Sequence, residues 1–196
     1  MPITKVRQPM SRVIRRAGAP IVPSNRAGVS ARRREDALSV LADDHARVAE
    51  LFARFDRLES NGPRKAALVE RICDEVEIHS RIEEEIFYPS VRAAIHDDDL
   101  MDEAAVEHET AKSMVEQLRA LRPGDFHYDA KVKVLREYIR HHVDREQRDI
   151  FPRARRIDTD LVALGRALKA RKRQLKGAAA SHRSSAMTAY PGGIGP

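Results

Sequence analysis

The sequence predicts an all-α fold, an up-and-down four-helix bundle, and three observations predict it. Aromatic residues make up 5% of the 196 residues and Trp is absent, while Ala, Arg, Glu and Leu dominate, a composition typical of helical bundles. Four stretches repeat apolar residues at alternating intervals of three and four, as helices with one buried face do. Short segments with Gly and Pro separate these stretches, as between antiparallel neighbours in a bundle.

Each predicted helix follows one of the periodic stretches. The first occupies about 35–61 and the second about 64–95. Pro89 is expected to kink or end the second helix, because proline lacks the backbone N–H that a helix interior uses. The third helix runs from about 99 to 121 and the fourth from about 129 to 151.

The remaining segments differ from the bundle in composition. Residues 158–176 are compatible with a fifth, basic amphipathic helix, because their leucines fall on one side. Residues 1–34, with four prolines, are predicted to be a disordered basic arm, and residues 177–196, rich in small residues, Gly and Pro, a disordered tail. The bundle domain is predicted to span 35–157.

The net charge of +6 is unevenly distributed. Residues 1–34 contribute +9 and residues 161–196 contribute +7, which leaves 35–160 with −10. The basic ends suggest weak electrostatic contact with nucleic acid or an anionic surface, although solubilising arms are the favoured interpretation because no DNA-reading motif is present. The residues concerned are Arg12, Arg15, Arg16, Arg32, Arg33, Arg34, Lys169, Arg171, Lys172, Arg173 and Lys176.

The single cysteine, Cys73, excludes an internal disulfide framework and a cysteine-based metal site within one chain. No apolar run is long enough for a transmembrane helix, and the N-terminus lacks the apolar segment of a secretory signal. We therefore expect a cytoplasmic protein without a transmembrane segment.

An internal repeat is the most specific feature of the sequence. In 79–89 (HSRIEEEIFYP) and 142–152 (HVDREQRDIFP), Glu follows His by four residues and Pro follows it by ten. The two copies are 63 residues apart, and His45 and His108 keep that offset, each lying 34 residues before the histidine that opens its copy. The chain is therefore predicted to contain two helical hairpins of one design, related by a pseudo-two-fold axis.

Six side chains of this repeat are predicted to bind two metal ions at the bundle centre. His and Glu four residues apart share a helix face, and here that face is apolar. Unpaired buried carboxylates would cost several kcal/mol, whereas divalent cations need them as counter-charges and need neutral imidazoles as donors. Imidazole and carboxylate without thiolate suit iron, manganese or zinc. The six are His45, His79, Glu83, His108, His142 and Glu146.

Neighbouring polar residues are assigned other positions. Glu84 and Glu85 fall off the apolar seam and are predicted to face water. His141 points about a hundred degrees away from His142 and is predicted to lie at the surface or behind the ligands. Tyr88 could reach the metal or a ligand, but core packing is favoured. Residues without a partner at ligand spacing are Cys73, His96, His127 and His182.

These motifs resemble those of the hemerythrin-like, or HHE cation-binding, family. The resemblance covers 38–152 and rests on LADDHARVAELF around His45, HSRIEEEIFYP, VEHETAKSMVEQL around His108, and HHVDREQRDIFP. It implies a four-helix bundle with two non-haem iron ions, in preference to manganese or zinc. By the same resemblance the four histidines would be terminal ligands, and Glu83 and Glu146 would bridge the irons, with an oxo bridge as an option.

The resemblance also implies a function. We expect the protein to bind a diatomic ligand or peroxide, namely O2, nitric oxide or peroxide, in a redox or nitrosative stress response. An iron-binding or iron- and oxygen-sensing module without turnover is one alternative, and catalase-like peroxide removal is another. Oxygen-carrying hemerythrins have a fifth histidine on the third helix, whereas Ala104 and Lys112 lie four residues either side of His108. The apolar surroundings of the metals are expected to include Leu41, Phe52, Phe87 and Ile150.

Overall fold

The architecture is a closed four-helix bundle with a fifth helix packed on its outside. The computed structural model describes residues 36–59 and 62–188, with side chains through residue 181. Within these ranges every regular element is helical, which agrees with the predicted all-α class. The four long rods contact one another in a ring, and the fifth helix contacts the first two rods.

The predicted helices are present, with two local departures from α geometry. A π-helical segment, π1, joins α2 to α3, and a second, π2, joins α5 to α6. The bounds are α1 Ala37–Asp56, α2 Pro63–Ile82, π1 Glu83–Phe87, α3 Tyr88–Ile95, α4 Asp98–Arg119, α5 Tyr128–Arg145, π2 Glu146–Ile150, α6 Phe151–Ala154 and α7 Leu161–Thr188.

Aspartates cap three of these helices. Asp36 accepts a hydrogen bond from the backbone N–H of Ser39 (2.8 Å), which satisfies one of the unpaired donors at the start of α1. Asp97 does the same for α4 after His96, whose left-handed backbone (φ 52°) ends α3. Asp160 caps α7. Local sequence thus determines where the rods begin.

Pro89 does not end the second rod, so of the two expected effects, a kink or an end, the end is absent. The chain widens into π1 before Pro89 and then continues as α3 to Ile95. The widened turn is closed by a hydrogen bond from the Tyr88 N–H to the Glu83 carbonyl, five residues back. A π-type turn of this kind accommodates the missing donor and the bulk of a proline ring inside a helix. The same device precedes Pro152.

The fifth helix is longer than predicted. α7 extends to Thr188, so the expectation of disorder from residue 177 onward is wrong for 177–188. One glycine costs a helix only about 1 kcal/mol, and Gly177 is followed by three alanines, the strongest helix formers. The predicted arm, 1–34, and residues 189–196 lie outside the described residues, and the division into domains stays a prediction.

Two apolar clusters fill the bundle, one on each side of a polar layer. One cluster includes Leu41, Phe87 and Ile150, and the other includes Phe52 and Leu135. In α1, for example, the first cluster ends at Leu41 and the second begins after His45. None of the helices in the described ranges is long and apolar enough to cross a membrane.

Candidate metal centre

The polar layer consists of the six side chains that the repeat singles out. Each long rod contributes one histidine, and the first residue of each π segment contributes a glutamate. All six are buried, and the most exposed of them retains only 8% of its surface. They are His45 on α1, His79 on α2, Glu83 on π1, His108 on α4, His142 on α5 and Glu146 on π2.

The first group of donors consists of His45, His79, Glu83 and Glu146, with ligand atoms within 4.8 Å of one another. The Nε2 atoms of His45 and His79 are 3.0 Å apart. Glu146 Oε2 lies 3.2 Å from the first of these nitrogens, and Glu83 Oε2 lies 3.1 Å from the second. Two nitrogens that are each about 2.1 Å from one cation, at a right angle, would be about 3.0 Å apart. The group therefore fits a single metal ion.

The second group consists of Glu83, His108 and His142. The two Nε2 atoms are 3.2 Å apart, and Glu83 Oε2 lies 3.3 Å from that of His108. Glu83 thus belongs to both groups, as a bridging carboxylate would, whereas Glu146 belongs to the first. A bridging role for Glu146 stays a prediction.

Each histidine turns its Nε2 toward the centre. Its Nδ1 faces another side chain, its outer partner. Such partners fix the orientation of a ligand ring and its tautomer. The distances from Nδ1 are 2.8 Å for His142 and Glu107, 3.0 Å for His108 and Glu84, 3.3 Å for His45 and Gln147, and 3.9 Å for His79 and Asp44.

The outer partners obey the same 63-residue offset as the six central residues. Asp44 corresponds to Glu107, and Glu84 corresponds to Gln147. Their role was not predicted, and the prediction that Glu84 faces water holds only in part. Its side chain is 32% exposed and reaches across to His108 and Lys112. Glu85 is exposed, as predicted. Extending the repeat comparison by one residue beyond each ligand would have identified both pairs.

The second group is electrostatically incomplete without a cation. Carboxylates only accept hydrogen bonds, so the Nδ1 atoms of His108 and His142 must both donate, to Glu84 and Glu107. A neutral ring protonated at Nδ1 carries a lone pair on Nε2. The two Nε2 lone pairs therefore face each other at 3.2 Å, with a Glu83 oxygen beside them. Burial lowers the pKa of His108, which disfavours a proton as the missing charge.

The pKa values of the two central carboxylates shift in opposite directions. Neither oxygen of Glu83 or Glu146 has a hydrogen-bond partner within the described part of the chain. Burial raises the pKa of Glu83 well above its usual value, and the charge of Glu146 raises it further. Burial also acts on Glu146, but the contact with His45 (3.2 Å) and the neighbouring imidazoles outweigh it and lower that pKa to about 2. The ionised form of Glu83 is therefore disfavoured in the absence of a nearby cation.

Comparison with known proteins identifies the family of this chain. The family model described as the hemerythrin HHE cation-binding domain matches residues 36–154. The chain belongs to the hemerythrin HHE cation-binding family. Cation binding is therefore the general property of this domain, and the six buried His and Glu side chains could hold the ions.

Several relatives of this HHE protein come from mycobacteria. A crystal structure of a hemerythrin HHE cation-binding domain-containing protein from Mycobacterium kansasii, a homolog of Rv2633c, superposes with a TM-score of 0.65 at 26% identity, covering 74% of this chain and 90% of that one. The uncharacterized protein Rv2633c of Mycobacterium tuberculosis is 28% identical over 151 residues, covering 72% of this chain and 88% of its own length. A DNA nickase of Nostoc is 29% identical over 57% of this chain, which spans only 31% of that protein.

Aromatic side chains of this HHE domain stack on two of the central histidines. The ring of Tyr88 stacks on His108, with centroids 5.4 Å apart, and the ring of Phe151 stacks on His45, with centroids 6.0 Å apart. Tyr88 and Phe151 are equivalent in the repeat, so one copy carries a hydroxyl that the other lacks. That hydroxyl is buried and has no hydrogen-bond partner among the described residues. Burial and the charges of Glu83 and the other nearby acids raise its pKa.

Other candidates lie away from the centre. His141 is 72% exposed and has its Nε2 3.8 Å from Glu107, so it lies at the surface, behind an outer partner. Cys73 is buried in the apolar cluster that contains Phe52, and burial raises the pKa of its thiol to about 12. A thiol in this environment stays protonated and unreactive.

Proposed function

We propose that the six buried side chains hold two non-haem iron ions, with Glu83 shared between them, and that the protein reacts with O2, nitric oxide or peroxide in a redox or nitrosative stress response. One observation carries the proposal: opposed Nε2 lone pairs of His108 and His142 meet a carboxylate oxygen of Glu83 that accepts no hydrogen bond from the described residues. A cation at this point satisfies all three groups at once.

For six-coordinate iron, the donor count leaves coordination positions open. The first group offers four ligand residues and the second offers three, fewer than the six donors of an octahedral site. Positions left open would admit a small ligand. When bound, a ferrous pair supplies two electrons to an oxidant as both ions become ferric. Zinc would supply Lewis acidity without redox chemistry.

The protein's own residues prepare the site in three ways. The outer partners orient the imidazoles, because a fixed Nδ1 contact fixes the direction of the Nε2 lone pair. The stacked rings of Tyr88 and Phe151 cover two of the histidines and exclude water. Burial raises the pKa of Glu83 and disfavours its ionised form, which a bound cation would stabilise.

A sensing module without turnover is the second candidate. Because the ligands are buried and their oxygens unpartnered, loss of metal would leave a costly charged core, and metal binding would contribute directly to folding. Limited proteolysis of the metal-free and metal-loaded forms tests this candidate. Equal protease resistance would contradict it.

Reaction with oxidants is tested on protein loaded with ferrous iron under anaerobic conditions. Addition of O2, nitric oxide or peroxide should change the near-ultraviolet and visible spectrum as the irons are oxidised or bind the ligand. Release of O2 from peroxide over many turnovers would identify catalase-like removal. Spectra that are unchanged by all three would contradict the proposed reaction.

Contact with nucleic acid or an anionic surface, and a cytoplasmic location, also stay proposals. Three of the basic residues named for such contact, Arg171, Lys172 and Lys176, pair with acids of this chain, which leaves less charge for an outside partner. DNA binding that weakens steeply with salt would support the contact. Absence of any salt-dependent binding would exclude it.

A further inference from the structure

Three basic residues of α7 bind acids on the first hairpin. Arg171 contacts Glu85 (2.6 Å) and Lys176 contacts Glu75 (2.6 Å). Between them, Lys172 binds the carboxylate of Asp44. The Lys172 side chain is 15% exposed, against 39% for that of Lys176. Lys172 therefore makes the more deeply buried of the two lysine contacts of this helix.

The partner of Lys172 is the residue that faces a central histidine. Asp44 is buried, and its other oxygen lies 3.9 Å from Nδ1 of His79. A buried carboxylate without a counter-charge is strongly unfavourable, and the charge of Lys172 supplies one. Asp44 thus lies between Lys172 and His79.

The second hairpin has the same arrangement but provides its cation internally. Glu107, the counterpart of Asp44, contacts His142 and is paired with Arg145 of α5 (3.0 Å). The position equivalent to Arg145 in the first hairpin, 63 residues earlier, is Ile82, which is fully buried and cannot serve. In the first hairpin the cation comes from outside the repeat: it is Lys172 of α7.

We propose that Lys172 is a positioning residue of the first metal group, so that α7 is part of the metal site and completes a repeat that Ile82 leaves unfinished. This inference rests on the proposed metal centre. Docking of α7 holds the Asp44 side chain in place, and Asp44 orients His79 toward the ion shared with His45. The second group, which has Arg145, does not depend on α7.

The test is a titration of full-length protein with Fe(II) under anaerobic conditions, resolved into two binding events. Lys172→Met should weaken one event by about 10- to 100-fold, the usual effect of losing such a partner, and leave the other unchanged. Lys172→Arg should restore it. Lys176→Met is the matched control, because it removes an ion pair of the same helix with no link to a ligand, and should leave both events unchanged.

The outcomes separate this inference from the proposed function. The role of Lys172 alone would be overturned by one result. In that result the wild type shows two binding events, and Lys172→Met leaves both unchanged or weakens them no more than Lys176→Met does. A wild type that binds no iron would overturn the proposed function as well. Asp44→Asn combined with Lys172→Met removes both charges and protects folding. Its effect on iron affinity should match that of either single change, and additive effects would contradict the link.

Discussion

The carboxylate of Glu84 lies 3.0 Å from Nδ1 of His108, although the two residues belong to different hairpins. The equivalent contact in the other direction joins Gln147 to His45. Glu84 forms an ion pair with Lys112. The position equivalent to Lys112 is Ala49, which cannot form an ion pair, and the neutral Gln147 needs none. A carboxylate raises the basicity of a ligand imidazole more than an amide does. The two metal positions are therefore chemically different despite the repeat.

Glu84→Gln should make the second position resemble the first. Loss of the carboxylate behind His108 is expected to weaken one of the two iron-binding events by about tenfold. Glu85→Gln is the control, because Glu85, the residue next to Glu84, is exposed and pairs with Arg81 and Arg171 instead. Calorimetric titration measures both. Equal effects of the two changes would exclude Glu84 from the site.

Glu83→Gln should abolish binding of both ions yet stabilise the metal-free protein. The fully buried carboxyl has no hydrogen-bond partner among the described residues, and an amide has neither a charge to bury nor a proton to retain, which removes a folding cost. A gain of about 1 kcal/mol would raise the melting temperature by roughly 2–4 °C in a chain of this size. Glu50→Gln, at an exposed position of α1, should change neither property. A destabilised Glu83→Gln protein would contradict this account.

The stability gained by Glu83→Gln should depend on pH. The pKa of Glu83 is raised from its ordinary value of 4.5, so the folded protein keeps a proton that the unfolded chain releases. That stabilisation is complete below pH 4.5 and is lost as the pH rises through the raised pKa. The difference between variant and wild type should therefore be small at pH 4.5 and increase above it. Urea denaturation across this range measures it, and a constant difference would refute the assignment.

Tyr88→Phe should leave both ions bound and raise the stability of the metal-free protein by about 1 kcal/mol. The buried hydroxyl forms no hydrogen bond in the described part of the chain, and an unsatisfied polar group costs that much or more. The reverse change at the equivalent position, Phe151→Tyr, should destabilise. Loss of iron from Tyr88→Phe, measured by metal analysis, would show instead that the hydroxyl contacts the metal.

Periodicity was sufficient to predict the rods and the central layer. Apolar residues at intervals of three and four place His45, His79, His108 and His142 on buried faces, and short connections force consecutive rods to pack together. The all-α class and the fifth helix therefore follow from local sequence. The side chains that meet at the centre follow from the repeat, because equivalent positions of two like hairpins lie at one level.

Features that depend on packing between hairpins were not predictable in the same way. Glu84 lies off the apolar seam of its own helix, and only the approach of α4 brings His108 and Lys112 within its reach. The π segments arise from a balance between proline geometry and core packing that residue spacing does not reveal. The contact between Lys172 and Asp44 joins residues 128 positions apart.

Glu83 and Glu146 are expected to hold metal in the core. Metal analysis of protein isolated under controlled oxygen tests it directly, with wild type, Glu83→Ala and Glu146→Ala compared against Glu85→Ala. We expect two irons per chain in the wild type and in Glu85→Ala, and loss of metal from both other variants. Wild type without bound metal, or equal metal content in all four proteins, would contradict the claim.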